Sequence, residues 1–226
     1  MNKIVLFFVV LSGIVLGVGC NQAPKADQAQ VQEAQQAPSA ATDAVNYKVD
    51  AAQSQIGWLA TKKVGKHNGI FGIKEGSLQV KDGQVQGGKV IIDVNSVKVL
   101  DLTGEDQQKL EGHLKDVDFF ETAKYPEATF EITSVSKYDA AAGGAKPMLD
   151  GVTHNITGNL TMKGVAKSVT FPAIVEIGAD GNVGAKAVFN INRNDWNIVY
   201  NNKESLGDKF ILPDVNLTLK LVAVKG

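Results

Sequence analysis

Apolar and polar side chains alternate along most of the second half of the chain. Ala128, Phe130 and Ile132 alternate with Thr129, Glu131 and Thr133. Val169, Phe171, Ala173, Val175 and Ile177 alternate with Ser168, Thr170, Pro172, Ile174 and Glu176. Ala185, Ala187, Phe189 and Ile191 repeat the pattern, as do Val215, Leu217, Leu219 and Leu221. A period of two sends successive side chains to opposite faces of a strand, and one dry face with one wet face marks an antiparallel sheet. Turn sequences separate the runs: Lys81-Asp82-Gly83, Asp180-Gly181-Asn182, and a loop from Ala140 to Gly151 that holds a glycine pair and Pro147. Pro172 and Pro213 lack the amide that a ladder needs, so bulges or edges are expected there. One helix is predicted, from Gly104 to about Lys115. Thr103 can cap it, Glu105 and Asp106 suit its first turn, and Leu110 and Leu114 form its apolar stripe. Many antiparallel strands with one short helix predict an all-β domain over residues 47–226, a barrel or a sandwich.

The N-terminal residues follow a different plan. Lys3 is the only charge before Cys20, and an apolar run from Ile4 to Leu11 and from Ile14 to Leu16 leads to Gly17-Val18-Gly19-Cys20. A positive start, an apolar core and small residues before a cut make residues 1–19 a secretory signal peptide. The uninterrupted apolar run is short for a bilayer span. Cys20 is the only cysteine, which excludes an intramolecular disulfide. A lone cysteine in this position resembles the lipobox of bacterial lipoproteins, with the departure that Leu16 stands four residues before it rather than three. The resemblance makes Cys20 the expected lipidation site and the protein a membrane-anchored lipoprotein of the cell envelope, facing the periplasm. Two or three acyl chains hold stably, since each buried methylene contributes about 0.8 kcal/mol. From Asn21 to Asn46, alanine, glutamine and proline dominate, and Val31 and Val45 are the only larger aliphatics. Such a segment forms no core of its own, and Pro24 and Pro38 interrupt any helix. Residues 20–46 are therefore expected to be a lipidated cysteine and flexible tether, with ends roughly 25–30 Å apart.

Charge and side-chain chemistry narrow the function. Without Lys3, 22 basic side chains face 24 acidic ones, a net of −2, which offers no case for nucleic acid or a polybasic membrane patch. His67, His113 and His154 are the only histidines and lack metal-site spacing. No Gly-x-Ser-x-Gly elbow and no phosphate-cradling glycine loop is present. No catalytic residue, metal or resident cofactor is expected, and the protein is not read as an enzyme. His113, near the helix end, is placed to interact with the last carbonyls. Arg193, followed by Asp195 and Trp196, suits either head-group recognition at a barrel rim or a structural lock on a neighbouring hairpin.

Three segments carry a family resemblance. Gly112-His113-Leu114-Lys115-Asp116-Val117-Asp118-Phe119-Phe120, then Tyr125-Pro126 and Ala128-Thr129-Phe130, resembles the "HL…DFF…YP…F" signature of the YceI-like family. Gly158-Asn159-Leu160-Thr161-Met162-Lys163-Gly164-Val165-Ala166-Lys167 is similar to its "G-x-L-T-x-x-G-V-x-K" hairpin, and Arg193-Asn194-Asp195-Trp196 to its "R-x-D/E-aromatic" segment. Departures lie mostly earlier. Gln53-Ser54-Gln55-Ile56-Gly57-Trp58 replaces the "HS…F…H" opening, with His67 near the place of its second histidine. Leu110-Glu111 stands for Arg-Asp, and Asn197 for glycine.

The resemblance implies a lipocalin-like eight-stranded antiparallel barrel around a long apolar cavity. It further implies a polyisoprenoid, an isoprenoid quinone or a fatty-acid-like molecule as ligand and partner. On this reading Phe130, Ile132, Leu160, Phe171, Ala187, Phe189 and Ile191 are candidate lining residues, with His67, His113 and Arg193 as candidate polar rim groups. Phe119 and Phe120 mark either a cavity mouth or a hydrophobic plug that fixes the helix, and since neighbours on a strand face opposite ways, at least one should pack on the helix or a ligand. Ala187→Phe is expected to fill ligand space at little cost in stability. Periodicity fits a filled barrel equally well, and a non-binding envelope adaptor acting through surface loops is the alternative.

Replacing Cys20→Ser should move the protein from the membrane fraction, leaving it unlipidated and either uncleaved or soluble. Cell fractionation with mass spectrometry of the N-terminus checks this, and an unacylated, soluble wild-type protein would refute the anchor.

Overall fold

The computed structural model describes Pro24 and residues 26–37, 43–142 and 147–226. Cys20 and residues 1–19 lie outside the described residues. The alternating runs become strands that close on themselves. In chain order these are β1 (Asp27–Gln28), β2 (Gln30–Glu33), β3 (Val45–Val49), β4 (Gln55–Lys62), β5 (Lys66–Lys81) and β6 (Gln84–Val99). The helix α1 (Gly104–Lys115) follows, then β7 (Glu127–Lys137), β8 (His154–Met162), β9 (Val165–Ile177), β10 (Val183–Asn192) and β11 (Ile211–Lys225). β3 and β4 occupy a single position between β5 and β11, each pairing with both. The bend between them is held by the Asp50 carboxylate, which accepts the amides of Ala52 and Gln53 at 2.9 and 3.2 Å. β5 to β11 then follow one another round the circuit, giving an eight-stranded antiparallel barrel. Asp82 and Gly83, at φ of 51° and 70°, form the two-residue turn between the long β5 and β6, the conformation that matches strand twist in a hairpin.

The helix lies at one end of the barrel. Leu114 is buried, and with Leu110 it packs among Trp58, Val97, Val99, Phe119 and Ile198. The Thr103 side chain makes no capping bond. The helix is tied instead to the end of β6: Glu111 accepts the Val99 amide at 2.9 Å and Gln107 donates to the Val99 carbonyl at 2.9 Å. Pro213 falls where the register of β11 against β4 slips, as expected of a residue without an amide.

One junction of the barrel is divided. β9 and β10 pair only from Ala173↔Ala187 to Ile177↔Val183. Beyond that point they part, and the N-terminal segment lies between them. Asp27 and Gln28 pair in parallel with Phe189 and Asn190, and Gln30 to Glu33 pair antiparallel with Thr170 to Lys167. The free tether expected over residues 20–46 is thus corrected: Asp27–Glu33 is a strap built into the wall. Composition misled because the strap needs no core of its own. It borrows backbone partners on both sides, and only Ala29 and Val31 turn apolar side chains toward the interior. Val31 is half-buried, so it contributes less than the roughly 1.5–3 kcal/mol of a fully buried valine. Polar side chains fasten its ends. Asn159 accepts the Gln35 amide at 2.9 Å and donates to the Gln35 carbonyl at 2.6 Å, while Asn190 donates to the Pro24 carbonyl at 3.0 Å. Pro172 sits between Thr170, paired to the strap, and Ala173, paired to β10, where β9 changes partner.

Asp27 also faces inward, 9% exposed, and its Oδ2 has no hydrogen-bond partner among the described residues. Burial pushes its pKa up from the ordinary carboxylate value. A raised carboxylate pKa means that docking binds a proton, so the strap is held less firmly at neutral pH and more firmly as pH falls through the docked-state pKa. Asp27→Asn should therefore tighten the strap at neutral pH and remove this dependence. Exchange of the Ala29 amide, bonded to the Asn190 carbonyl at 2.8 Å, should slow in the variant. Equal or faster exchange would show that the carboxylate does not oppose docking.

Candidate functional site

The inward side chains leave the barrel partly hollow. A cavity of about 220 Å³ remains, lined from every position of the barrel. Close-packed interiors contain few voids larger than a water, and an engineered apolar cavity of about 150 Å³ is already enough to stay dry and take up benzene. Phe130 and Ile132 of β7, Leu160 of β8, Phe171 of β9, and Phe189 and Ile191 of β10 all line the space, on the face their alternation assigned. Phe171 and Phe189 stack across the β9–β10 junction with centroids 4.1 Å apart and planes 7° apart, and Phe130 tilts against Phe171 at 5.7 Å. Phe130 lies over Gly158, where any Cβ would come 2.4 Å from its ring. Trp58 in the same way covers Gly69, whose Cβ would fall 2.6 Å from the indole.

Ala187 is the exception among the expected lining residues. It shares the inward phase and is fully buried, yet it does not border the cavity. Ala173 and Ala185 reach the open space with the same methyl group, whereas Ala187 is enclosed between its ladder partners Ala173 and Leu219 and belongs to the packed wall.

Phe119 and Phe120 both line the cavity. They lie in the turn after α1 rather than on a strand, with the Phe120 amide bonded to the Leu114 carbonyl at 3.1 Å, so the strand rule does not set them on opposite faces. Phe120 meets Phe71 edge-on at 5.4 Å, while Phe119 is backed by Tyr200 at 5.2 Å.

The polar candidates do not converge on the cavity. His113 stands edge-on to Phe119 and Tyr200 at 5.1 and 4.7 Å, with Nε2 3.8 Å from Asp118. Its imidazole thus buttresses the aromatic end of the barrel, where a bond to the last helical carbonyls was expected. His67 holds Asp101 at 2.8 Å outside the cavity lining. Desolvation there acts to raise the Asp101 pKa. Hydrogen bonds from the Asn68 amide and His67, with the attraction of the imidazole, outweigh it and hold the pKa below its usual value. Arg193 borders the cavity, but its Nε, Nη1 and Nη2 donate to the carbonyls of Leu212, Ile198 and Ile211 at 3.2, 2.5 and 2.8 Å. Burial pulls its pKa down to about 10, so it remains charged at neutral pH and spends that charge locking the start of β11. No polar atom of the described residues faces the open space.

Four aromatic residues near the site were not among the expected site residues. Trp58 and Phe71 line the cavity from β4 and β5, and Tyr200 backs Phe119. Trp196, fully buried, donates its indole N–H to the Leu160 carbonyl at 3.0 Å and so ties the end of β10 to β8. The alternation of Ile56, Trp58 and Ala60 was the available signal for the first of these.

Residues 47–223 match the YceI-like domain family. Among curated proteins, the chain is 35% identical over 135 residues to protein YceI of Escherichia coli O157:H7, covering 58% of this chain and 62% of that one. It is 33% identical over 135 residues to protein YceI of Salmonella arizonae, with the same coverage. The match thus spans about three-fifths of the length of these relatives. Among solved structures, Burkholderia cenocepacia BcnA superposes with a TM-score of 0.58 at 26% identity, over 78% of this chain and 99% of its own. A polyisoprenoid binding domain from Saccharophagus degradans, implicated in plant cell wall breakdown, gives 0.56 at 21% identity, over 80% and 99%.

The place of Ala187 in the wall reverses the expectation for its enlargement. Ala187→Phe should destabilise the domain by about 1–3 kcal/mol through overpacking. Denaturant titration checks this, and an unchanged midpoint would return Ala187 to the cavity.

Proposed function

The chain belongs to the YceI-like domain family, and on that premise we propose that it is a binding protein that shelters an elongated apolar molecule in its barrel. The observation that carries this reading is a cavity of about 220 Å³ bordered by no polar atom of the described residues. Drug-sized ligands occupy pockets of about 300–1,000 Å³, so this smaller space suits a slender hydrocarbon chain better than a broad ring system. Burial alone would drive binding, at about 0.8 kcal/mol for each methylene, partly offset by association and by ordering of the chain. A hydrogen-bonding head group brought inside without a partner would cost roughly 2–7 kcal/mol, so the head group stays outside the apolar wall. A polyisoprenoid, the tail of an isoprenoid quinone or a fatty-acid-like chain meets these conditions. The name of the Saccharophagus degradans domain supports the first of them. The lining supplies no free acid, base or nucleophile, because its single charged residue, Arg193, is committed to backbone carbonyls. Carriage or sequestration is therefore the role, with acylated Cys20 anchoring the barrel to a membrane of the cell envelope.

Organic extracts of natively purified protein should contain one class of long apolar molecule by mass spectrometry. Uptake of diphenylhexatriene, a rod-shaped hydrocarbon that fluoresces out of water, should report the same cavity. Ala185 borders the open space beside Ala187 on β10. Ala185→Phe should weaken that uptake about tenfold or more, the equivalent of roughly 1.4 kcal/mol, while leaving the protein folded. Empty extracts together with no uptake by the wild-type protein would overturn the proposal.

A further inference from the structure

The cavity is closed along most of its wall by continuous antiparallel ladders. At the β9–β10 junction it is closed by the strap, which pairs with β10 on one side and β9 on the other. The two strands part after the Ala173↔Ala187 pair, and Trp196 bridges to Leu160 at the far end, opposite Lys167 of β9. Between these limits β9 runs from Lys167 to Ala173, about 20 Å of strand. Among the described residues, the strap Asp27–Glu33 alone fills this slot from outside. Cavity-lining side chains stand on both banks: Val169 and Phe171 on β9, Phe189 and Ile191 on β10.

The strap is poorly suited to permanent closure. Its outward residues are Gln28, Gln30 and Gln32, all exposed, and its inward residues are an alanine, a half-buried valine and a carboxylate with one unpartnered oxygen. Its ion pair, Glu33 with Lys167 at 2.6 Å, has a carboxylate side chain 89% exposed, and such surface pairs add little. Each strand from β5 to β11 has at least one ladder of six or more residue pairs, whereas the strap holds two pairs to β10 and four to β9, supplemented at its ends by the Asn190 and Asn159 side chains.

We propose that the strap is a displaceable strand that gates a lateral portal between β9 and β10, through which a long apolar chain passes into the cavity. This rests on the binding role above and adds the route. A slot long and narrow, parallel to the strands, admits a flexible chain sideways along its length. A bulky head group does not follow it, in keeping with a cavity bordered by no polar surface of the described residues. Undocking leaves the amides and carbonyls of the β9 edge in water, where they are satisfied, so the opened wall is tolerable for as long as the chain takes to pass.

The test locks the strap. Gln30 and Thr170 are cross-strand partners on the outer face, at a spacing that suits a disulfide. In the mature chain bearing Cys20→Ser, Gln30→Cys with Thr170→Cys should take up diphenylhexatriene at the wild-type rate when reduced. When oxidised it should be slower by about tenfold or more, with final occupancy little changed. Ala29→Asp, which loosens the strap without touching the lining, should speed uptake. Equal rates for the oxidised and reduced forms would overturn the portal and direct the ligand to the barrel end near Phe119. If the wild-type, reduced and loosened forms all fail to take up the probe, the binding role fails, and the portal with it.

Discussion

A sheet wrapped round an empty apolar space must pair its own backbone at every point, because an unsatisfied amide or carbonyl facing the void finds no water there. The irregular features of this barrel follow from that constraint. The bend between β3 and β4 is tolerated because Asp50 supplies the acceptor its amides lack. Pro172 is tolerated because it stands where β9 is exchanging one neighbour for another. The parting of β9 from β10 is tolerated because the strap brings a second set of donors and acceptors. At its upper end the Asn159 side chain continues the ladder, giving and receiving one bond each with Gln35.

The same constraint explains what was legible in the sequence. Alternation reports which face a residue occupies, and it placed Phe130, Phe171, Phe189 and Ile191 on the cavity side. It does not report where along the strand the open space lies, which is why Ala187, in phase with them, belongs to the packed wall while Ala185 borders the cavity. Composition reports whether a segment can bury enough apolar surface alone, and residues 21–46 cannot. Pairing to strands more than a hundred residues away is invisible to that test. The turn at Phe119-Phe120 hid its double contribution for a related reason, since the rule that separates neighbours holds only on a strand. The helix boundaries were readable, but the device that fastens it, Glu111 and Gln107 gripping Val99, depends on where β6 ends in space.

Polar chemistry is kept at the margins of the cavity. Arg193, the one charged residue of the lining, is turned away by three carbonyls, and His113 serves as an edge-on partner for two rings. A site of this kind discriminates by shape and by exclusion. Under the proposed binding role, such a lining would penalise any head group that enters and would favour a class of chains over a single compound.

The strap also bears on the order in which the molecule assembles. Its fastening bonds join residues 124 to 166 positions apart, so the first described segment of the chain finds its partners only when nearly all the rest exists. Contacts so distant in sequence form slowly, since the ends must be brought together before any bond compensates the lost freedom. Until then a strand rich in glutamine, with few apolar groups, has little reason to pair elsewhere. The barrel can thus fold first around an open seam, and closure of that seam becomes the last step of maturation.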